Sequence, residues 1–470
     1  MNKKFFITTP IYYINDLPHI GHAYATFAAD ILVRYHNLLG EKTLLLTGSD
    51  ENSQKTVDAA AKKNLPVEDY ANELATNWQE TWKKLSVADG NFKFVRTTNK
   101  EHSKFVQEFF QKIYDNGYIE EGVYEGLYCV GHEAFIKETD LDENKLCPDH
   151  KTEPEHLKEK NYFFKLRDFS ERLLELYKNN PDFILPDERR NEVISFVNSG
   201  LENISISRET TKWGIKVPFD ANQVIYVWFD ALLSYYSTTP KEFWPADLHI
   251  IGKDILRFHA VIWPAMLLAA GWEEYLPKKI FAHGFFTIDG TKISKSLGNA
   301  IDPLKITKEF GIDALRYFLF KELPFGHDGD FSLERLKEIY NSDLANGLGN
   351  LVARVAKLAE SLDLDGVKEV KTPLLDSTFR IHLDKLEFLQ ALEYIWKKIK
   401  ATDKLLEETK PWELVKTDQN KAASVVENLL LQIVEIQELL VPFLPETANK
   451  IAKQLQSPKI HPQESLFPRK

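Results

Sequence analysis

The first fifty residues constrain the fold more than any other stretch. Residues 5–13 are rich in Phe, Ile, Thr and Tyr, the composition of a strand, and strand character ends where Pro10 and the Asn15–Asp16 turn interrupt it. From His19 onward, Ile20, Ala23, Phe27, Ile31, Tyr35 and Leu38 recur at intervals of three and four, which predicts an amphipathic helix ended by Gly40. Thr43 to Leu46 reads as a second apolar strand, closing on Thr47-Gly48-Ser49-Asp50. Strand, loop, helix and strand in this order make a βαβ unit of a parallel sheet, whose ligands bind beyond the carboxyl ends of the strands.

A second α/β stretch follows far downstream: Val224 to Trp228, His249 to Ile251, a helix from Asp254 to Ala270, and a strand around Phe281. Two separated halves imply an insertion. At 470 residues the chain exceeds what one core organises. The reading is a split, Rossmann-like α/β nucleotide-binding domain (1–115 and 216–275) with a connective insertion (116–215). A linker region follows (276–336), with Asp289-Gly290 as a hairpin turn before a Lys- and Ser-rich loop. The last part, 337–470, has Leu, Ala, Ile and Val at helical spacing between Lys and Glu, which predicts an α-helical bundle domain.

Composition excludes some classes. No window approaches the roughly 18 apolar residues of a membrane span, so no membrane is expected. Lys3-Lys4-Phe5-Phe6-Ile7 is too soon interrupted to be a signal peptide, and two cysteines make no disulfide framework, so a reducing cytoplasm is expected. The net charge of −11 argues only weakly against a nucleic-acid partner, since Lys397, Lys398 and Lys400 can form a basic face if exposed together.

Pro18-His19-Ile20-Gly21-His22 sits where a strand loop turns into a helix. Gly21 allows close backbone approach, the helix N-terminus favours anions, and two imidazoles can bond phosphate or ribose oxygens. Alone, the segment reads equally as a capped helix with two surface histidines. Some 270 residues on, Lys292-Ile293-Ser294-Lys295-Ser296-Leu297-Gly298-Asn299 offers two ammonium groups and two hydroxyls, and alone could be a solvated turn. Together the two segments resemble the paired signatures of class I aminoacyl-tRNA synthetases, with Ile293 in the variable second position.

That resemblance implies an ATP-dependent adenylation in which the enzyme supplies positioning and charge rather than a nucleophile. His19, Gly21 and His22 would hold the nucleotide, and Lys292, Ser294 and Lys295 would meet the charge on the transition state and leaving pyrophosphate. Gly252 and Asp254 would contact the ribose, and His283 the nucleotide, although a satisfied strand histidine is an equal reading. Mg2+ would accompany the ATP.

Over nearly the whole chain the resemblance is to the methionine-specific members of that class. It implies a pocket from Ile11 and Tyr13 in Thr8-Thr9-Pro10-Ile11-Tyr12-Tyr13, with Asp50 pairing the substrate ammonium. Trp228, Ala231, Tyr235 and His259 would close the thioether wall. A polarisable thioether suits an aromatic pocket; without the flanking matches, the same rings would read as core. In the helical domain Asn350 and Arg354, four residues apart on one helix face, and Trp412 after Pro411 match elements that read a CAU anticodon by stacking and edge hydrogen bonds.

In the insertion, Cys129-Val130-Gly131-His132 and Cys147-Pro148-Asp149-His150 have the spacing of a structural zinc knuckle, the alternative being unrelated loop residues. The family commonly has cysteine at the position of His132. The expected partners are therefore ATP, L-methionine and a tRNA with a CAU anticodon, with one structural Zn2+. A monomer is expected because the chain ends near Leu466-Phe467-Pro468. The rival readings are a class I synthetase for another amino acid, disfavoured because there is no room for an editing insertion, and a catalytically silent tRNA-binding relative.

Overall fold

The computed structural model describes residues 3–87, 91–129, 134–148, 151–288, 290–292, 300–367 and 375–470. The chain forms two compact units, one of residues 1–18 with 41–282 and one of residues 19–40 with 283–470.

The first unit is organised by a six-stranded sheet. Its strand order is Phe92–Arg96, Lys42–Asp50, Lys4–Tyr13, Leu248–Gly252, Ile280–His283 and Ile184–Leu185. The first strand is parallel to both neighbours, with Phe5 opposite Thr43, Tyr13 opposite Asp50, and Thr8 opposite His249. Phe6, Ile7, Leu45, Leu46, Ile250 and Ile251 are inaccessible, as befits parallel strands covered on both faces. The register places the carboxyl ends of the strands, carrying Tyr13, Asp50 and Gly252, where the βαβ argument expects a ligand site.

The insertion contributes an antiparallel sheet of Ala134–Ile136, Ile119–Cys129, Glu155–Phe164 and Ile204–Ser205, and helices Ser170–Asn179 and Asp187–Asn198. It also returns Ile184–Leu185 to the central sheet, parallel to Ile280–His283.

Two expectations need correction. Val224 to Trp228 is not a single strand: Asp220–Ile225 lies in a small antiparallel sheet with Ser207–Arg208 and Lys216–Val217, and Val227–Ser237 is a helix. Trp228, Ala231 and Tyr235 stand three and four apart, helical spacing that places them on one face. The helix expected over Asp254–Ala270 is also interrupted, with a short 3-10 turn at Lys253–Ile255, a π-helical turn at Phe258–Ile262, and α-helix only over Trp263–Ala269. Pro264 has no N–H to give the Ala260 carbonyl, which instead accepts the Tyr177 hydroxyl at 2.6 Å.

In the second unit the helix Ile20–Leu38 ends as expected, with Gly40 at φ 76°. Its buried face meets Ile312–Lys321: Tyr24 stacks on Phe320 at 5.2 Å, and Asp30 accepts Arg316 Nη2 at 2.7 Å with both side chains inaccessible. Arg316 also donates to the carbonyls of Phe443 and Pro442, at 2.8 and 2.9 Å, and Tyr35 Oη donates to Asp384 at 2.8 Å. Phe286–Ile288 pairs antiparallel with Thr291–Lys292 as the expected hairpin requires, while Asp289 of its Asp289-Gly290 turn lies outside the described residues. Beyond it the helices Asn350–Ser361, Phe388–Thr409, Gln419–Leu440 and Pro445–Leu455 build the expected bundle. Lys397 and Lys400 are exposed, but Lys398 is half-buried and paired with Glu435 at 2.7 Å, so the three lysines form no common basic face. Among the described residues no helix is long and apolar enough to cross a membrane.

Candidate active site

The two histidines of the first signature cap their own helix. His19 is the N-cap, in extended conformation, and its Nδ1 accepts the Gly21 N–H at 3.1 Å, while His22 Nδ1 accepts the His19 N–H at 3.0 Å. The imidazoles lie 3.7 Å apart and are half-buried. Because each Nδ1 accepts a backbone N–H, the proton of each neutral ring sits on Nε2. Two imidazole Nε2 donors thus stand beside a helix N-terminus, a combination suited to phosphate oxygens. A Cβ on Gly21 would sit 3.0 Å from His19 Cε1, so any side chain there would press on the cap.

The chain just beyond the second signature meets the start of this helix. The Ile20 N–H, left free by the start of the helix, donates to the Ile301 carbonyl at 2.9 Å. Ile301 is the second residue after the Lys- and Ser-rich segment that ends at Asn299. Ser294 and Lys295 lie outside the described residues, and Lys292 ends its strand just before them. One turn along the signature helix, Tyr24 meets the ring of His283 edge-on at 5.5 Å. His283 is buried, with Nδ1 2.7 Å from the Gly284 carbonyl, which directs the Nδ1 proton there.

Within the first unit, most of the expected amino-acid pocket comes together. Tyr13 meets Trp228 edge-on at 6.2 Å, and Trp228 stacks on Phe258 at 4.0 Å and 13°. The Tyr235 hydroxyl lies 2.7 Å from His259 Nε2, and His259 Nδ1 is 3.0 Å from the Ile255 carbonyl. Burial pushes the His259 imidazole down to about 4, so it is neutral, donates from Nδ1 and accepts the Tyr235 proton at Nε2. The Tyr235 phenol is raised, first by burial and then by Coulombic interaction with Tyr12 and Asp50. Asp50 and Ala231 are buried, and Ile11 packs half-buried against the same core. Gly252 closes its strand and Asp254 is exposed in the turn that follows.

Sequence reading missed Phe258, the floor under Trp228, although it is the residue before His259 in a helical stretch. It also missed His249, which is buried against Tyr235 at 4.5 Å, with Nδ1 2.5 Å from Thr8 Oγ1.

Of the zinc set, Cys129 and Cys147 are both buried and not joined in a disulfide, while His132 and His150 lie outside the described residues. Among the described residues no group of three or more His, Cys, Asp or Glu is arranged to hold a metal ion. In the helical domain Asn350 is exposed, and the Arg354 guanidinium lies 5.5 Å over the ring of half-buried Trp412. Arg354 also pairs with Glu407 at 2.6 Å and Asp403 at 3.5 Å.

Comparison with known proteins bears on the family of the chain. The family model for class I tRNA synthetases (M) matches residues 5–153 and 139–356, and that for the anticodon-binding domain of methionyl tRNA ligase matches 367–465. The methionine–tRNA ligase of Rickettsia conorii is 44% identical, over 99% of this chain and 95% of its own length; that of Thermotoga maritima is 41% identical, over 96% and 75%. Among solved structures, Mycobacterium tuberculosis methionyl-tRNA synthetase in complex with methionyl-adenylate has a TM-score of 0.90 and 36% identity, covering 99% of this chain and 100% of that one. With family models matching on both sides of residue 360 and a relative 44% identical over 99% of the chain, the chain belongs to the methionine–tRNA ligases of the class I aminoacyl-tRNA synthetases.

Proposed function

We propose that the chain carries out its family's two-step reaction, activation of methionine with ATP and transfer to tRNA, with the following division of labour. A methionine carboxylate oxygen attacks the α-phosphorus of ATP; the bond to the bridging oxygen breaks and pyrophosphate leaves. The terminal ribose hydroxyl of the tRNA then attacks the carbonyl of the adenylate, losing its proton as AMP departs. His19 and His22 donate from Nε2 to nucleotide oxygens, with Gly21 leaving room, and Lys292, Ser294 and Lys295 meet the developing negative charge. Gly252 and Asp254 face the ribose and His283 the nucleotide. Mg2+ bound with ATP supplies further charge neutralisation.

Asp50 pairs with the methionine ammonium, and Ile11, Tyr13, Trp228, Ala231, Tyr235 and His259 surround the thioether. With His259 neutral and its Nε2 occupied by the Tyr235 proton, this wall carries no net charge, which suits a thioether and rejects charged side chains. Asn350, Arg354 and Trp412 read the CAU anticodon. The buried thiols of Cys129 and Cys147 fit a thiolate-binding ion, and with His132 and His150 they would hold Zn2+, which stabilises the insertion. The chain acts as a cytoplasmic monomer.

The reciprocal His19–His22 cap, tied by Ile20 to Ile301 just beyond the lysine loop, is the observation that carries this reading. It is tested by ATP–pyrophosphate exchange with each of the twenty amino acids offered singly. Exchange with methionine alone is expected; exchange with another amino acid refutes the pocket, and none at all refutes the activation.

A further inference from the structure

One buried polar chain has no part in the division of labour above. Asp230, on the Val227–Ser237 helix between Trp228 and Ala231, is inaccessible. Its Oδ2 accepts the side-chain N–H of Asn52 at 2.6 Å, and its Oδ1 lies 2.5 Å from His102 Nε2. His102, in the first turn of the helix Lys100–Asp115, is equally inaccessible, and its Nδ1 is 2.7 Å from Ser237 Oγ. Asn52 also donates to the Thr97 carbonyl at 3.2 Å and stands two residues after Asp50. With a proton on Nε2, His102 donates to Asp230 and Nδ1 accepts from Ser237, so every member of the chain has a partner.

Burying a carboxylate and an imidazole is costly even when they are paired, and apolar side chains of the same volume commonly give equal stability. What the polar chain adds is direction. It connects two segments: the strand end that carries Asp50, and the helix whose one face carries Trp228, Ala231 and Tyr235. We propose that Asn52, Asp230 and His102 are positioning residues that fix the ammonium partner and the thioether wall relative to each other, and so set methionine affinity without touching methionine. This inference rests on the pocket assignment proposed above. Binding groups must be held within a fraction of an ångström by supporting hydrogen bonds to keep their affinity.

The test is pyrophosphate exchange by the purified full chain, titrating methionine and ATP separately. His102→Leu should raise the KM for methionine about tenfold while the KM for ATP stays within about twofold. His102→Gln, whose amide can donate to Asp230, should recover most of the affinity. Ser237→Ala, which removes only the last hydroxyl, should raise the methionine KM about two- to threefold. If His102→Leu does not fold, the other two variants decide. Equal rises in both KM values, an unchanged methionine KM in Ser237→Ala, or His102→Gln no better than His102→Leu overturns the proposal. Asp50→Asn is the control: a large rise in methionine KM there, with none in the His102 and Ser237 variants, refutes the positioning chain alone. No rise in Asp50→Asn refutes the pocket and this inference with it.

Discussion

The proposed methionine pocket and the proposed anticodon patch draw on similar side chains and hold them in opposite ways. In the pocket, Tyr235, His259 and Asp50 are 2%, 1% and 3% exposed, and the Tyr235–His259–Ile255 chain admits one proton arrangement. In the patch, Asn350 is exposed and Arg354 is shared among Trp412, Glu407 and Asp403. Burial makes each pocket hydrogen bond expensive to lose, whereas contacts at the patch exchange at little cost. A small amino acid offers few groups to recognise and needs a rigid mould. An anticodon arrives stacked and must be taken apart on a surface that can rearrange.

Neither region performs the chemistry in this division, so the largest single effect belongs elsewhere. Lys295→Ala should slow exchange by about 10²–10³-fold, the scale of losing one transition-state charge contact, with methionine KM nearly unchanged. Pre-steady-state adenylate formation measures it directly; a methionine affinity that falls in step with the rate refutes the separation of binding from chemistry.

Acid should next separate the pocket from the Ile312–Lys321 helix of the second unit. Burial holds the His259 imidazole at about 4, against an ordinary 6.5, so between those values the unfolded chain binds a proton that the folded pocket refuses. Stability from this group is complete above pH 6.5 and is lost as pH falls toward 4, by about 3 kcal/mol in all. His249, also depressed by burial, adds in the same direction. In the second unit, Asp313 accepts the Thr447 N–H at 2.6 Å, and burial lifts its carboxyl from 3.8 to about 6. Its folded form takes the proton first, so this group favours folding more as pH falls from 6 to 3.8, again by about 3 kcal/mol. Peptide-resolved hydrogen exchange at pH 7 and 5, corrected for intrinsic rate, should show protection falling over residues 248–270 and holding over 312–321. Parallel loss in both would break the contrast.

How well each region could be read from the sequence follows the same contrast. The first strand, its helix and the second strand were legible because apolar spacing alone specifies them, whereas the proposed methionine-pocket residues were named only through the family resemblance, since spacing alone reads their rings as core. Val224 to Trp228 was read as one strand, running into the start of the Val227–Ser237 helix, because Val, Ile, Tyr and Trp have strand propensity and burial on nearly every side hides the helical period. The partner of the Ala260 carbonyl within the Phe258–Ile262 π turn could not be read locally, since the carbonyl that Pro264 leaves free is taken by Tyr177, some eighty residues away in sequence. Asp30, Arg316, His102 and Asp230 were passed over for the same reason: each is an ordinary polar residue until a distant partner joins it inside the core.

On the patch side, Trp412→Ala should lower kcat/KM for tRNA charging about 10- to 100-fold, the range for losing one stacking contact of 1–3 kcal/mol, and leave exchange unaltered. Charging and exchange measured on one preparation decide it. An equal fall in exchange would mean that Trp412 supports the fold of the unit rather than a base.

The smallest effect has the opposite sign. Glu407 holds Arg354 at 2.6 Å, and a base or phosphate that engages this guanidinium must first displace the carboxylate. Both partners are partly exposed, so the pair is worth only about 0.2–1 kcal/mol. Glu407→Gln should therefore strengthen tRNA binding by roughly 1.5- to 5-fold through KM, most visibly at low salt, where the removed charge also ceases to repel phosphate. Filter binding across a salt series reads both terms. A weaker complex would show that Glu407 orients Arg354 for recognition, which would make the patch as preorganised as the pocket.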